Sequence, residues 1–389
     1  MIPHFGGFLL EYAYHDFGGS LMRVICQECG ECATFDPRQF RCECGGAWEP
    51  EESALFDKSK IDPSKPGLWR YRDFFALDEG KEPFTLGAGW TPLVDTNFNG
   101  RRTFFKLEFM APTGSFKDRG TEVEINHLRA AGIREVVEDS SGNAGASMAA
   151  YAARAGMKAS IYAPKNASPA KLAQIGFFGA ELHKVPGPRS ETTKAAFQAV
   201  GQGAVYASHA YNPVYLLGQQ SFAWEVWEQF GGEAPDAVVI PVGQGGLLLG
   251  AWLGFRRLMR AGLIRQLPRF FAVQPELLSP IKAAFSAGLK EIPELAPEGI
   301  SMAEGLAIVK PVRGKRILQA LRESGGGAIT VTEDAIKTAW QALALNGLFA
   351  EPTSATAAAA LPQVFEAVGP DVKVVVALTG SGLKSPPKG

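Results

Sequence analysis

Between residues 103 and 378 short apolar runs alternate with longer helical stretches, and few architectures accept that pattern. Thr103–Leu107 reads as a strand and Thr121–Ala131 as a helix. The strand and helix pairs that follow are Glu135–Glu138 with Asn143–Ala155, Ala159–Ala163 with Pro169–Phe178, Glu181–Val185 with Glu191–Val200, Ala204–Tyr206 with Pro213–Phe230, and Ala237–Pro241 with Gly246–Met259. Phe270–Gln274 is a further strand, Glu333–Asn346 and Ser354–Ala367 are helices, and Val372–Leu378 is a last, fully apolar strand. Strands this short and this apolar need cover on both faces, which parallel sheets joined by helical crossovers provide. In such folds ligands bind at the carboxyl ends of strands, in the loops that open the next helix.

The first of those loops is Ala111-Pro112-Thr113-Gly114-Ser115-Phe116-Lys117-Asp118-Arg119-Gly120. Pro112 and Gly114 end the strand, and Ser115 reads as the N-cap of the helix. Lys117 then lies in the first helical turn, where the positive end of the helix dipole opposes a cation. A lysine held there gives up its proton more readily, as an amine that forms an imine with a carbonyl must. On residue type alone Lys117 would be a solvated surface group beside Asp118 and Arg119.

The run Pro112–Gly120 resembles the pyridoxal-phosphate lysine motif of the threonine synthase and threonine dehydratase group, the tryptophan-synthase-β-like enzymes. The resemblance spans roughly Thr91 to the C-terminus. It implies an α/β protein of fold type II with two three-layer parallel-sheet lobes. The smaller lobe would take about residues 135–215 and the larger the remainder of 51–389. It implies further that Lys117 holds pyridoxal 5'-phosphate as an imine. Thr91-Pro92-Leu93, ahead of the first strand, fits the same family.

Three more segments carry the resemblance. Ser140-Ser141-Gly142-Asn143-Ala144-Gly145 would by itself be a turn with a helix cap. In the family such a loop lets Asn143 donate to the phenolic oxygen of the cofactor ring, while Ser140 and Ser141 receive the substrate carboxylate or its leaving group. Pro241–Leu247 exposes backbone N–H groups at a helix start, which favours an anion. It has neither the Walker lysine nor the dinucleotide glycine spacing. By resemblance Gly243, Gln244, Gly245, Gly246 and Leu247 form the cofactor-phosphate loop. After the last strand, Thr379 stands where the family places a hydroxyl beside the pyridine nitrogen. A hydroxyl is a weak proton source there, which suits elimination and replacement at side-chain carbons. Glu351 lies in another segment like one the family keeps near the cofactor.

The substrate is read less directly. Many threonine synthases carry an arginine for the substrate phosphate in a segment like Asn-Pro-x-Arg-x-x-Gly-Gln. Here Asn212-Pro213-Val214-Tyr215 puts a tyrosine in its place, which cannot make a bidentate ion pair. Arg189, Lys165 or Arg119 would have to compensate, with Arg189 the one assigned to substrate. Pro186-Gly187-Pro188-Arg189 also departs from the family pattern. The resemblance as a whole still makes threonine synthase the leading activity. Serine or threonine dehydration, or another β-elimination or β-replacement, is the alternative.

All five cysteines fall between residues 26 and 44. Cys26, Cys29, Cys42 and Cys44 have the pairing of a four-thiolate structural zinc site, with Cys32 left over. Residues 20–50 are thus expected to form a zinc-ribbon-like segment; free thiols, disulfides, iron or an empty site are the other readings. A zinc-ribbon interaction protein without catalysis is the non-enzyme alternative. Lys58–Pro66 reads as a linker and Leu68–Phe75 as a short helix. Lysine plus arginine (39) nearly balances aspartate plus glutamate (40), so nothing calls for nucleic acid or an acidic membrane. No signal-peptide pattern is visible, and the longest uncharged stretch, Ala237–Phe255, is broken by Pro241 and five glycines. A soluble cytoplasmic homodimer is the expectation.

Overall fold

The computed structural model describes residues 22–51, 55–77, 82–165, 167, 169–187, 189–200 and 204–386. The signal-peptide reading, residues 20 and 21 of the cysteine segment, Pro188 and residues 387–389 lie outside them. Three sheets organise the described chain. Strands β1 (Arg23–Cys26), β2 (Cys32–Thr34) and β3 (Trp48–Pro50) form an antiparallel ribbon with β1 in the middle. A 3-10 helix, Gly67–Phe74, stands where the short helix is expected.

Strands β4 (Leu93–Phe98) and β5 (Arg101–Lys106) are an antiparallel hairpin. Its turn is Asn99-Gly100, both at positive φ, as a tight hairpin requires. Strands β6 (Glu135–Glu138), β7 (Lys158–Pro164), β8 (Glu181–Val185) and β9 (Val205–Tyr206) form a parallel four-stranded sheet of order β8-β7-β6-β9. Strands β10 (Ala237–Pro241), β11 (Arg269–Pro275), β12 (Gly327–Val331) and β13 (Val374–Ala377) join the hairpin in a six-stranded sheet of order β12-β11-β10-β13-β5-β4. Every pairing in it is parallel except the hairpin edge. All positions of β10 and β13 are buried, as central strands covered on both faces must be.

Among the described residues the α-helices are α1 (Lys117–Ala130), α2 (Asn143–Ala155), α3 (Pro169–Phe177), α4 (Arg189–Val200), α5 (Pro213–Gln229), α6 (Gly246–Arg260), α7 (Pro280–Ser286), α8 (Gly314–Glu323), α9 (Glu333–Leu345), α10 (Pro352–Ala359) and α11 (Leu361–Val368). Two expectations are corrected. Ser115 does not cap α1: the helix follows Phe116, whose N–H donates to the Thr379 carbonyl, while Ser115 pairs in an antiparallel bridge with Gly380. Ser354–Ala367 is two helices, because Pro362 cannot continue the hydrogen-bond ladder of α10.

Helix α5 is buried for most of its length and wedged between α1 and α6. The approach is close because it uses glycine: a Cβ on Gly218 would lie 2.1 Å from the Arg119 carbonyl oxygen, and one on Gly250 would lie 2.2 Å from Gln219 Cβ. Beneath α1 a fully buried Arg119 bridges Glu108 and Glu225, and Lys106 also binds Glu225. This frame fixes the start of α1, where Lys117 stands.

Candidate active site

A cavity of about 370 Å³ opens at the carboxyl ends of the strands, bounded by the starts of α1, α2, α4 and α6 and by the loop after β13. Lys117, Ser140, Ser141, Asn143, Arg189, Gly243, Gln244, Gly245, Gly246, Leu247 and Thr379 all line it. Residues far apart in sequence thus meet because every strand that delivers them is parallel.

Lys117 is the first residue of α1, its Nζ 4.7 Å from the Phe116 ring and 5.9 Å from the Tyr215 ring. Burial pulls its pKa down to about 8, Glu138 and Glu351 push it up, and Arg189 pulls it down further. Burial is the largest cause, with the helix start adding in the same direction. The amine is therefore neutral in a usable fraction of molecules near neutral pH.

Asn143 opens α2 and donates from Nδ2 to Glu351 Oε1 at 2.9 Å. Its Oδ1 and Glu351 Oε2 are buried with no partner among the described residues. Burial raises the Glu351 pKa. Thr379 is buried after β13, its Oγ1 3.1 Å from Ser354 Oγ. Ser140 Oγ accepts from the Gly142 N–H, and Ser141 lies beside it on the cavity wall.

The glycine loop opens the 15-residue helix α6. Gly245 is its N-cap at φ +83°, and a Cβ there would stand 2.4 Å from Ile317 Cδ1. A Cβ at Gly243 would stand 3.0 Å from the Gly305 carbonyl oxygen. Neither position has room for a side chain. Gln244 has its side chain engaged elsewhere, its Oε1 accepting from the Val312 N–H at 3.0 Å. A glycine loop at a helix start and a buried hydroxyl fit pyridoxal phosphate's phosphate and ring nitrogen, and Asn143 keeps one Nδ2 hydrogen beyond the one given to Glu351 to donate to a ring substituent.

Arg189 opens α4, half-exposed, 3.4 Å from Asp139. Tyr215 does not line the cavity. It is fully buried behind it, where a Cβ on Gly120 would stand 2.4 Å from its ring and one on Gly246 would stand 3.4 Å away. The tyrosine fills volume at that position and supplies no charge to the cavity.

Several residues of the site were not read from the sequence. Glu138 ends β6, with Oε1 3.0 Å from His209 Nδ1 and Oε2 accepting from the His209 N–H at 3.2 Å. Burial and Asp139 push Glu138 up to about 8, while Arg189 and Lys117 pull it down. Burial, then Lys117 and Arg189, hold His209 far below the ordinary imidazole range. Lys171 is buried on the cavity wall, its Nζ 3.3 Å from Glu304 Oε2. Glu138 ends a predicted strand and His209 follows another, so the strand-end rule could have marked both.

The sulfurs of Cys26, Cys29, Cys42 and Cys44 lie within 4.8 Å of one another, with Cys26–Cys44 at 3.5 Å and Cys29–Cys42 at 3.6 Å. A tetrahedral zinc–thiolate site has sulfurs about 3.7 Å apart, so the donor set fits that ion. Cys32 is outside the cluster, near the Gly30 carbonyl. The ribbon is anchored to the main fold. Glu49 pairs with Arg313 and Arg316, and Arg313 donates to the Ala210 and Tyr211 carbonyls, next to His209.

Comparison with known proteins agrees with this geometry. Residues 84–380 match the family described as pyridoxal-phosphate dependent enzyme. Threonine synthase of Methanocaldococcus jannaschii is 34% identical over 376 residues, covering 93% of this chain and 92% of that one. Threonine synthase of Mycobacterium tuberculosis is 33% identical over 325 residues, covering 81% and 88%. Among solved structures, a threonine deaminase from T.th. superposes with a TM-score of 0.65 at 27% identity, covering 75% of this chain and 92% of that one.

Proposed function

Because the chain belongs to the pyridoxal-phosphate-dependent enzymes, we propose that it is a threonine synthase, converting O-phosphohomoserine and water to threonine and phosphate. One observation carries the reading: a buried lysine with its pKa pulled down to about 8, in a cavity that also holds two further cations, Lys171 and Arg189. Bound pyridoxal phosphate supplies a sink for electron pairs released at carbons near an amine. Gly243–Leu247 would hold the cofactor phosphate by backbone N–H groups, Asn143 would orient the ring, and Thr379 would meet its nitrogen. Lys117 holds one proton at a time: it would take the one at Cα, hand it to the bound cofactor, take the one at Cβ and return it at Cγ, and finally restore the one at Cα. Arg189 and Lys171 attract the substrate phosphate, with Ser140 and Ser141 beside it.

The test is incubation of the cofactor-loaded protein with O-phosphohomoserine, measuring phosphate and threonine. Equal release of both supports the reading. Pyruvate or 2-oxobutanoate made from serine or threonine, with no phosphate release, moves the function to dehydration. That second reading is favoured by the neutral Tyr215 and by the threonine deaminase neighbour. We also propose structural zinc on Cys26, Cys29, Cys42 and Cys44, supported by their spacing. A cytoplasmic homodimer belongs to the same proposal; no described helix is long and apolar enough to cross a membrane.

A further inference from the structure

We propose that His209, set in place by Glu138, is a second catalytic residue: it gives a proton to the phosphate oxygen as the Cγ–O bond breaks, and recovers one from the water that adds at Cβ. The inference rests on the threonine synthase reading.

The geometry comes first. His209 follows β9 and lines the cavity together with Lys117. Its backbone N–H and its Nδ1 both meet the Glu138 carboxyl, at 3.2 and 3.0 Å. The Glu138 side chain is 1% exposed and that of His209 12%. With Nδ1 engaged, Nε2 is the ring nitrogen left for chemistry. The groups around the pair are Lys117 and Glu124 from α1, Asp139 after β6, Arg189 from α4 and Tyr215 from α5. Burial first, with the charge of Arg189 acting in the same direction, keeps the imidazole neutral, while burial and Asp139 keep a proton on Glu138. A protonated carboxyl that donates to Nδ1 leaves Nε2–H as a donor toward the cavity.

The chemistry requires such a donor. A phosphate monoester dianion that loses its Cγ–O bond would depart as a trianion unless a proton joins it. Lys117 cannot supply that proton, because it must deliver at Cγ the one it takes at Cβ. In the proposed step the Cγ–O electron pair stays on the phosphate oxygen and captures the Nε2 proton, as the Glu138 proton passes to Nδ1. The leaving group departs as hydrogen phosphate. Water then forms the O–Cβ bond, its proton goes to Nε2, and the displaced electron pair ends in the Cα–H bond that Lys117 restores. The pair gains and loses one proton per turnover. Arg189, whose charge acts on both Lys117 and His209, holds the anion at this end.

The test uses cofactor-loaded wild type, His209→Asn and Glu138→Gln. Single-turnover release of phosphate from O-phosphohomoserine is compared with release of acetate from O-acetylhomoserine, whose leaving group needs no proton. His209→Asn should slow phosphate release by about 100-fold or more, but acetate release by less than about tenfold. The cofactor absorbance should be unchanged, which shows a folded site. Glu138→Gln should follow the same pattern. Equal slowing of both esters, or slowing of neither, overturns the proposal while the wild-type reading stands. Wild type that releases no phosphate ends that reading, and this one with it. A readout independent of turnover is the ¹⁵N spectrum of histidine-labelled holoenzyme, with the His209 signal identified by its loss in His209→Asn. It should stay neutral across the pH range in which a solvated histidine titrates. A His209 that titrates at about 6.5, like a solvated histidine, overturns the pair.

Discussion

Replacing Glu225 by glutamine removes one carboxylate from a charge-balanced cluster that has no water to fall back on. Arg119 Nη1 and Nη2 donate to Glu225 at 2.6 and 2.7 Å, and Lys106 Nζ donates to it at 3.0 Å. Glu108 is the second carboxylate, so two cations face two anions. Burial alone would raise the Glu225 pKa, but Arg119 and Lys106 outweigh it and bring it down from 4.5 to about 2. A drop of that size corresponds to about 3 kcal/mol of stability. The contribution is complete above about pH 4.5 and lost as pH falls through about 2, because the folded pKa lies below the unfolded one. Glu225→Gln should therefore cost about 3 kcal/mol at pH 7, within the range for orphaning a buried charge. Near pH 3.5 the cost should fall to about 2 kcal/mol. Guanidinium unfolding of the cofactor-free protein, followed by the near-ultraviolet signal of the adjacent buried Trp224, measures both. Adding Lys106→Met should recover part of the loss, since it removes the cation left without a partner. A cost under about 1 kcal/mol at pH 7, or one that grows on acidification, would refute the charge-balance argument.

Other outcomes follow from the same structure. Lys117→Ala should abolish the cofactor's imine absorbance and all turnover; a coloured, active alanine variant would contradict the assignment. Gly245→Ala meets both a left-handed φ and Ile317 at 2.4 Å, so its affinity for pyridoxal phosphate, measured by absorbance titration, should drop at least about tenfold. Adding Ile317→Ala should relieve the clash but leave the backbone strain. Cys42→Ser should lower bound zinc, counted by metal analysis, to well under one per chain, and Cys32→Ser should leave it unchanged.

The parts of this protein legible in its sequence are those fixed by local chemistry. Strands such as Ala237–Pro241 are uniformly apolar, and the loops after them carry glycines and small hydroxyl residues in recognisable order. Strand β12 escaped notice because Gly327–Val331 begins with glycine and is only partly buried at the sheet edge. The misplaced cap at Ser115 has a long-range cause. Its backbone is claimed by Gly380, which no local pattern announces. Glu138 with His209, and Glu108 with Arg119 and Glu225, are likewise partnerships across the chain. A lone glutamate or histidine in sequence carries no mark of the residue it will meet. Tyr215 was visible as a departure, yet only the packing of Gly120 and Gly246 against its ring shows that it lies behind the cavity.

The anchoring of the ribbon has a consequence for biosynthesis. Glu49 docks on Arg316, 267 residues downstream. A chain emerging from the ribosome therefore exposes its ribbon long before the surface that receives it exists. Three strands of three or four residues cannot hold themselves together for that interval by apolar burial. A metal ion gripped by four sulfurs can. The proposed zinc would then act first as a chaperone built into the chain, keeping the ribbon intact until the last third of the protein arrives to clasp it.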